Sequence, residues 1–80
     1  MTGMEPPYSQ SVDTSGLRCP EPVMMLHNAL RKVAVGDVLK VIATDPATER
    51  DIPRFCHYLG HQLVKESADN GVYLYFIRRG

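Results

Sequence analysis

The chain has 80 residues, with nine Lys or Arg balanced by nine Asp or Glu, so its formal net charge is zero. A chain this long is one domain with a thin core, because it buries only about 60% of its unfolded surface. The balanced charge argues against a general nucleic-acid binder, which carries a basic surplus, and no apolar run approaches the roughly 20 residues that cross a bilayer.

The start, "MTGMEPPYSQ", lacks the basic residues and apolar run of a signal peptide. A cytoplasmic location is therefore expected. The two cysteines, Cys19 and Cys56, are too few for a secreted disulfide scaffold, and both are expected to be free thiols. Residues 1–9 mix Gly, Pro and polar residues without periodicity and read as a flexible tail before a domain spanning 10–80.

Residues 10–14, "QSVDT", alternate weakly and suit a short edge strand that Gly16 ends. Residues 20–33 read as a helix. Val23, Leu26, Leu30 and Val33 recur at steps of three and four, and Gly36 and Asp37 stop the run. "VLKVIA", residues 38–43, is nearly continuous and aliphatic, as a central strand should be.

In "DPATERDIPRFCHYLGH", Ile52, Phe55, Cys56 and Leu59 form a second helical stripe. Thr48 or Asp51 is the expected N-cap, Pro53 is expected in the first turn, and Gly60 ends the helix. Residues 61–67 form a polar edge strand. In "ADNG", Asn70 and Gly71 can take the positive φ of a tight turn. "VYLYFIR", residues 72–78, is the second central strand.

The order βαβαββ narrows the topology. Right-handed parallel crossovers that step the same way place both helices on one face. Inserting the last strand between the second and third gives the order 1-2-4-3, with the apolar strands central and the polar ones at the edges. The expectation is a two-layer α+β sandwich of a four-stranded mixed sheet under two helices. The Cys19 loop and the "DPAT" loop then share the C-terminal end of the parallel strands, where α/β proteins place their sites.

Cys19 lies just before the first helix, between Arg18 and "PEP". The positive end of the helix dipole and the Arg18 charge both favour a thiolate, so a lowered pKa is expected. Pro20 suits the first helical position, and Pro22 the same turn, where a missing N–H costs little. Both fix φ and stiffen the helix start. The remaining N–H groups of Glu21 and Val23 are the ones left to contact an anionic sulfur. Glu21 suits a first turn, yet its charge opposes ionisation of the thiol and points to a basic partner.

No second cysteine lies two residues away, so this is not a CxxC dithiol. A lone exposed thiolate can act as a nucleophile, a peroxide sensor or a sulfur carrier. A carrier needs only an accessible thiol, a rigid stem and docking surfaces. Cys56 falls on the apolar stripe of the second helix and reads as a core residue rather than a resolving thiol. Cys56, His57 and His61 cluster, but Gly60 interrupts the spacing and no metal site is expected. Met24, His27 and Arg31 recur one turn apart on a flank of the first helix, and Asp45 opens the "DPAT" loop. With Arg50 and Tyr58 they are the candidates for docking a partner. On the last strand, Tyr73, Tyr75 and Ile77 alternate with Val72, Leu74 and Phe76. One set meets the helices and the other the open face of the sheet.

From "GLRCPEP" through "DPATERDIPRFC", the sequence resembles the TusA/SirA-like sulfur-carrier family, and the similarity runs from residue 12 to Gly80. The resemblance implies a two-layer βαβαββ fold. It implies that Cys19 accepts sulfane sulfur as a persulfide, supported by Arg18, Pro20, Glu21 and Pro22. It implies a cysteine desulfurase as donor and a sulfur-relay complex of TusBCD type as acceptor, serving 2-thiolation of the wobble uridine of tRNA. The protein itself would then act as a carrier rather than a turnover catalyst, with no cofactor and no direct contact with nucleic acid or membrane. Relatives serve sulfur oxidation, molybdenum-cofactor supply and selenium metabolism. Position 27 carries histidine where the family pattern leads one to expect arginine. Outside this family, the alternatives are a redox-sensing thiol protein and a small RNA-binding module.

Overall fold

A computed structural model describes residues 5–80. The elements in order are β1 (Gln10–Thr14), α1 (Glu21–Leu30), β2 (Val38–Ala43), α2 (Thr48–Leu59), β3 (Gln62–Asp69) and β4 (Val72–Arg78). The sheet order is β1-β2-β4-β3, as the crossover argument requires. β1 runs parallel to β2, and β4 pairs antiparallel with both β2 and β3. β3 and β4 are joined through Asn70 and Gly71, whose φ values of 52° and 78° make the two-residue turn that a twisted hairpin favours.

Strand alternation decides which side chains meet the helices. Leu39, Val41 and Ala43 of β2 and Tyr75 and Ile77 of β4 turn to one face, with Leu39 opposite Ile77 and Val41 opposite Tyr75. Leu26 and Leu30 of α1 and Ile52 and Cys56 of α2 pack on that face. Each fully buried Leu or Ile contributes about 1.5–3 kcal/mol.

The other face is covered differently. Phe76 is only 1% exposed, although no helix lies over it. The Tyr8 ring sits 6.0 Å from the Phe76 ring, and Lys40 Nζ lies 5.3 Å from the Tyr8 centroid and 5.8 Å from that of Phe76. Lys40 also pairs with Glu5 at 3.2 Å, and the Ser9 N–H donates to Val38 O at 2.9 Å. These contacts involve part of the segment expected as a tail. Residues 1–4 of that segment lie outside the described residues.

Both helices differ from expectation at their ends. α1 begins at Glu21, with Pro20 as N-cap and Pro22 at the second helical position. It stops at Leu30 rather than Val33. The Arg79 guanidinium donates to the carbonyls of Leu30, Arg31 and Val33 at 3.2, 3.4 and 2.7 Å, at and just past the end of the helix, where carbonyls lack intrahelical N–H partners. Val33 is buried all the same. α2 has Ala47 as its N-cap, not Thr48 or Asp51. Pro53 therefore lies inside the helix, beyond the first turn, and has no N–H to donate to the carbonyl of residue 49. Gly60 closes α2 in the left-handed conformation, with φ of 74°. β3 reaches Asp69, two residues further than expected, and carries an irregularity between Leu63 and Lys65.

Candidate functional site

The loops after β1 and β2 leave the same end of the sheet, at the C-terminal ends of the parallel strands, and are tied together by hydrogen bonds. Thr14 Oγ1 donates to Ile42 O at 2.8 Å, and the Gly16 N–H donates to Thr44 Oγ1 at 2.8 Å. The Cys19 N–H donates to Asp45 Oδ2 at 2.7 Å. Asp45 Oδ1 accepts the Ala47 N–H at 3.1 Å. One carboxylate thus joins the cysteine loop to the start of α2. These two N–H donors, Cys19 first, hold the Asp45 pKa below its ordinary value, and the Arg18 charge adds to the effect.

A second chain of bonds anchors Asp45 from below. Thr48 Oγ1 donates to Asp45 O at 2.7 Å and lies 2.8 Å from Tyr75 Oη, both hydroxyls being buried. A threonine hydroxyl has one proton, and it goes to the Asp45 carbonyl. Tyr75 is therefore the donor to Thr48. The loop that positions Cys19 is in this way fixed to the central strand.

The prolines serve the helix start as expected, with the positions shifted by one. Pro20 O accepts the Met24 N–H at 3.1 Å, the first bond of α1. Contrary to the expectation from the sequence, the Glu21 N–H is not left for the sulfur: it donates to Arg18 O at 2.8 Å.

Cys19 itself is exposed. Its pKa is raised, which reverses the expectation drawn from the helix dipole and Arg18. The main cause is the neighbouring Asp51 carboxylate, an acceptor that favours the protonated thiol. Slight desolvation and the negative charges of Asp51 and Asp45 act the same way, and Arg50 opposes them. The sequence argument weighed one cation and a helix end but left out two carboxylates brought in from the neighbouring segment. The proximity of the thiol in turn lowers the Asp51 pKa.

Cys19, Pro20, Val23, Asp51, Arg54, Phe55, Tyr58 and Leu59 line an open, mostly apolar groove of about 420 Å³ between the two helices. Tyr58 is 84% exposed at its rim. On the other side of the thiol loop, Arg18 and Asp45 line a hollow with Gly16, Leu17, Thr44 and Pro46. Met24, 58% exposed, lies on the first part of α1, whereas Arg31 is the C-cap, about 15 Å along the axis from the helix start. His27 is half-buried, with its ring 5.7 Å from that of Phe55 at an interplanar angle of 87°. Arg50 Nε holds Asp51 Oδ1 at 3.1 Å. Of the docking candidates, Asp45, Arg50 and Tyr58 gather round Cys19, and Arg31 does not. The sequence marks Asp51 only as a candidate helix cap, and neither Asp51 nor Arg54 as a site residue. Their signal was positional: they fall in the first two turns of the helix that follows the "DPAT" loop.

Cys56 is a core residue, 3% exposed, and burial pushes its pKa up to about 11. His61 accepts the Gly80 N–H at Nδ1 at 3.0 Å, and partial burial lowers its pKa. Among the described residues, no group of three or more His, Cys, Asp and Glu is placed to hold a metal ion. No helix among them is long and apolar enough to cross a membrane.

Comparison with known proteins agrees with this geometry. The family model described as sulfurtransferase TusA matches residues 10–79. The sulfur carrier protein TusA of Pseudomonas paraeruginosa is 58% identical over 76 residues, covering 95% of this chain and 96% of that protein. That of Pseudomonas aeruginosa is 62% identical over 68 residues, covering 85% and 86%. The crystal structure of a SirA-like protein from Desulfitobacterium hafniense superposes with a TM-score of 0.75 at 25% identity, covering 86% of this chain and 95% of that one. With the fold, the thiol at the helix start and these similarities in hand, the chain belongs to the TusA family of sulfur carriers.

Proposed function

We propose that Cys19 carries sulfane sulfur as a persulfide, received from a cysteine desulfurase and passed to a relay complex of TusBCD type for 2-thiolation of the wobble uridine of tRNA. The observation that carries this reading is an exposed thiol on a loop tied at its own N–H to Asp45. In the transfer step, the Cys19 thiolate attacks the outer sulfur of a donor cysteine persulfide. A new S–S bond forms at Cys19, the donor S–S bond breaks, and the donor leaves as a thiolate that takes up a proton. The exchange is redox-neutral and needs no cofactor. It suits the reducing cytoplasm, where thiols stay free.

Arg18, Pro20, Glu21 and Pro22 shape the helix start in this reading, and Met24, His27, Arg31, Asp45, Arg50 and Tyr58 meet the donor or the acceptor. Transfer of radiolabelled sulfur from a desulfurase tests the proposal. Label should reach the wild-type protein and Cys56→Ser and be absent from Cys19→Ser. Label on the Cys19→Ser protein overturns it.

A further inference from the structure

A thin core gains nothing from polar atoms, yet this one buries two hydroxyls side by side. Tyr75 is 1% exposed in the middle of β4, opposite Val41, and Thr48 is 1% exposed at the start of α2. Phenylalanine and valine would fill the same space without the penalty of taking O–H groups out of water. The two hydroxyls are bonded, and their bonds have a direction. Tyr75 Oη donates to Thr48 Oγ1 at 2.8 Å, and Thr48 Oγ1 donates to Asp45 O at 2.7 Å. The Thr48 N–H meets the same carbonyl at 3.0 Å, so that oxygen keeps a partner even without the hydroxyl. Asp45 in turn accepts the Cys19 N–H at 2.7 Å. Three short bonds thus run from the central sheet to the residue that bears the thiol.

We propose that Thr48, oriented by Tyr75, is a positioning residue for sulfur transfer: it fixes the Asp45 main chain, and through the Asp45 carboxylate it fixes the main chain of Cys19 at the angle that transfer needs. This role rests on the carrier reading and assigns to it a buried residue that touches neither the sulfur nor the donor. Attack on a persulfide is directional, and a displacement of about 1 Å can slow such a step roughly 100-fold. A satisfied polar network holds its members in one arrangement, whereas an apolar pair packs without direction. Removing one hydroxyl leaves the other stranded, but replacing both by apolar groups of the same shape is nearly neutral for stability. Stability and positioning therefore separate in the double variant.

The test is single-turnover transfer of labelled sulfur from a cysteine desulfurase to the full chain over a range of donor concentrations, with hydrogen exchange at the Cys19 amide read in parallel. Thr48→Val with Tyr75→Phe should melt close to the parent, whereas Thr48→Val alone should melt lower. The double variant should nonetheless accept sulfur severalfold more slowly at saturating donor, with half-saturation at the parent's donor concentration, and its Cys19 amide should exchange faster. Thr48→Ser keeps the hydroxyl and should restore the parent rate. A double variant that accepts sulfur at the parent rate overturns the proposal. So does equal slowing in Arg79→Ala, which weakens the far end of α1 and leaves this chain of bonds in place. A parent that accepts no sulfur defeats the carrier reading instead. Cys19 exchange needs no donor, and an unchanged rate in the double variant overturns the positioning role by itself.

Discussion

The backbone N–H of Cys19 meets Asp45 Oδ2 at 2.7 Å, joining two loops 26 residues apart in sequence. The bond holds the residue that bears the thiol through its main chain, leaving the side chain free to react. Asp45→Ala should leave the fold intact and loosen this loop alone. Hydrogen exchange at the Cys19 amide should rise sharply, with core amides of β2 and β4 unchanged. Unaltered protection at Cys19 would show that the bond does not set the loop.

The same carboxylate predicts an acid response. The Asp45 pKa is depressed below 3.8 by its N–H donors, and that of Asp13 by the Ser15 side chain and N–H. A depressed folded-state pKa contributes stability that is complete above the ordinary carboxylate value. This contribution is lost as pH falls through the folded-state value. Thermal melts should show the Asp45→Asn variant less stable than the parent at neutral pH. The difference should shrink as pH falls below 3.8. A constant difference across that range would rule out the charge as its source.

Tyr75 and Thr48 carry the support inward. Removing the Tyr75 hydroxyl as Tyr75→Phe leaves the Thr48 proton on Asp45 O but deletes its own donation to Thr48. Chemical denaturation should show a loss of about 1 kcal/mol, the usual worth of a buried neutral hydrogen bond. No loss at all would mean that the Thr48 oxygen finds another donor.

Cys56 is expected to matter for packing. Its pKa of about 11 and 3% exposure keep it a small hydrophobe at neutral pH. Cys56→Ser should cost roughly 1–3 kcal/mol by placing a hydroxyl in an apolar site. In the native wild-type protein, alkylation at neutral pH should label Cys19 and spare Cys56 until the chain unfolds. Rapid native labelling of Cys56 would contradict its place in the core.

Arg79 offers a further check at the far end of α1. Its guanidinium serves the carbonyls of Leu30, Arg31 and Val33. Arg79→Ala should lower stability by about 1–2 kcal/mol and increase exchange in the last turn of α1. An effect spread evenly over the sheet would point to a different role.

The sheet and its order were legible because hydrophobic alternation, the apolar runs at 38–43 and 72–78, and the Asn70–Gly71 turn all require the same arrangement. Cys19 stood out for a local reason, a thiol beside two prolines at a helix start. Its ionisation was not local. Asp51 lies 32 positions away and reaches the sulfur only because both crossovers land on one face, which no window of sequence displays. The end of α1 was misjudged for a similar reason. Val33 continues the apolar stripe and is buried, but the helix is closed by Arg79 from the other end of the chain. Pro53 shows the converse: a local rule placed it in the first turn, and the packing of Ile52 and Cys56 extends the helix past it.

The most direct measurement of the central claim is the intact mass of the protein after incubation with a cysteine desulfurase and cysteine, followed by peptide mapping. The account predicts a gain of one sulfur atom on the peptide containing Cys19, removed by a thiol reductant and absent from Cys19→Ser. A wild-type protein that gains no sulfur, or a sulfur mapped to Cys56, would contradict it.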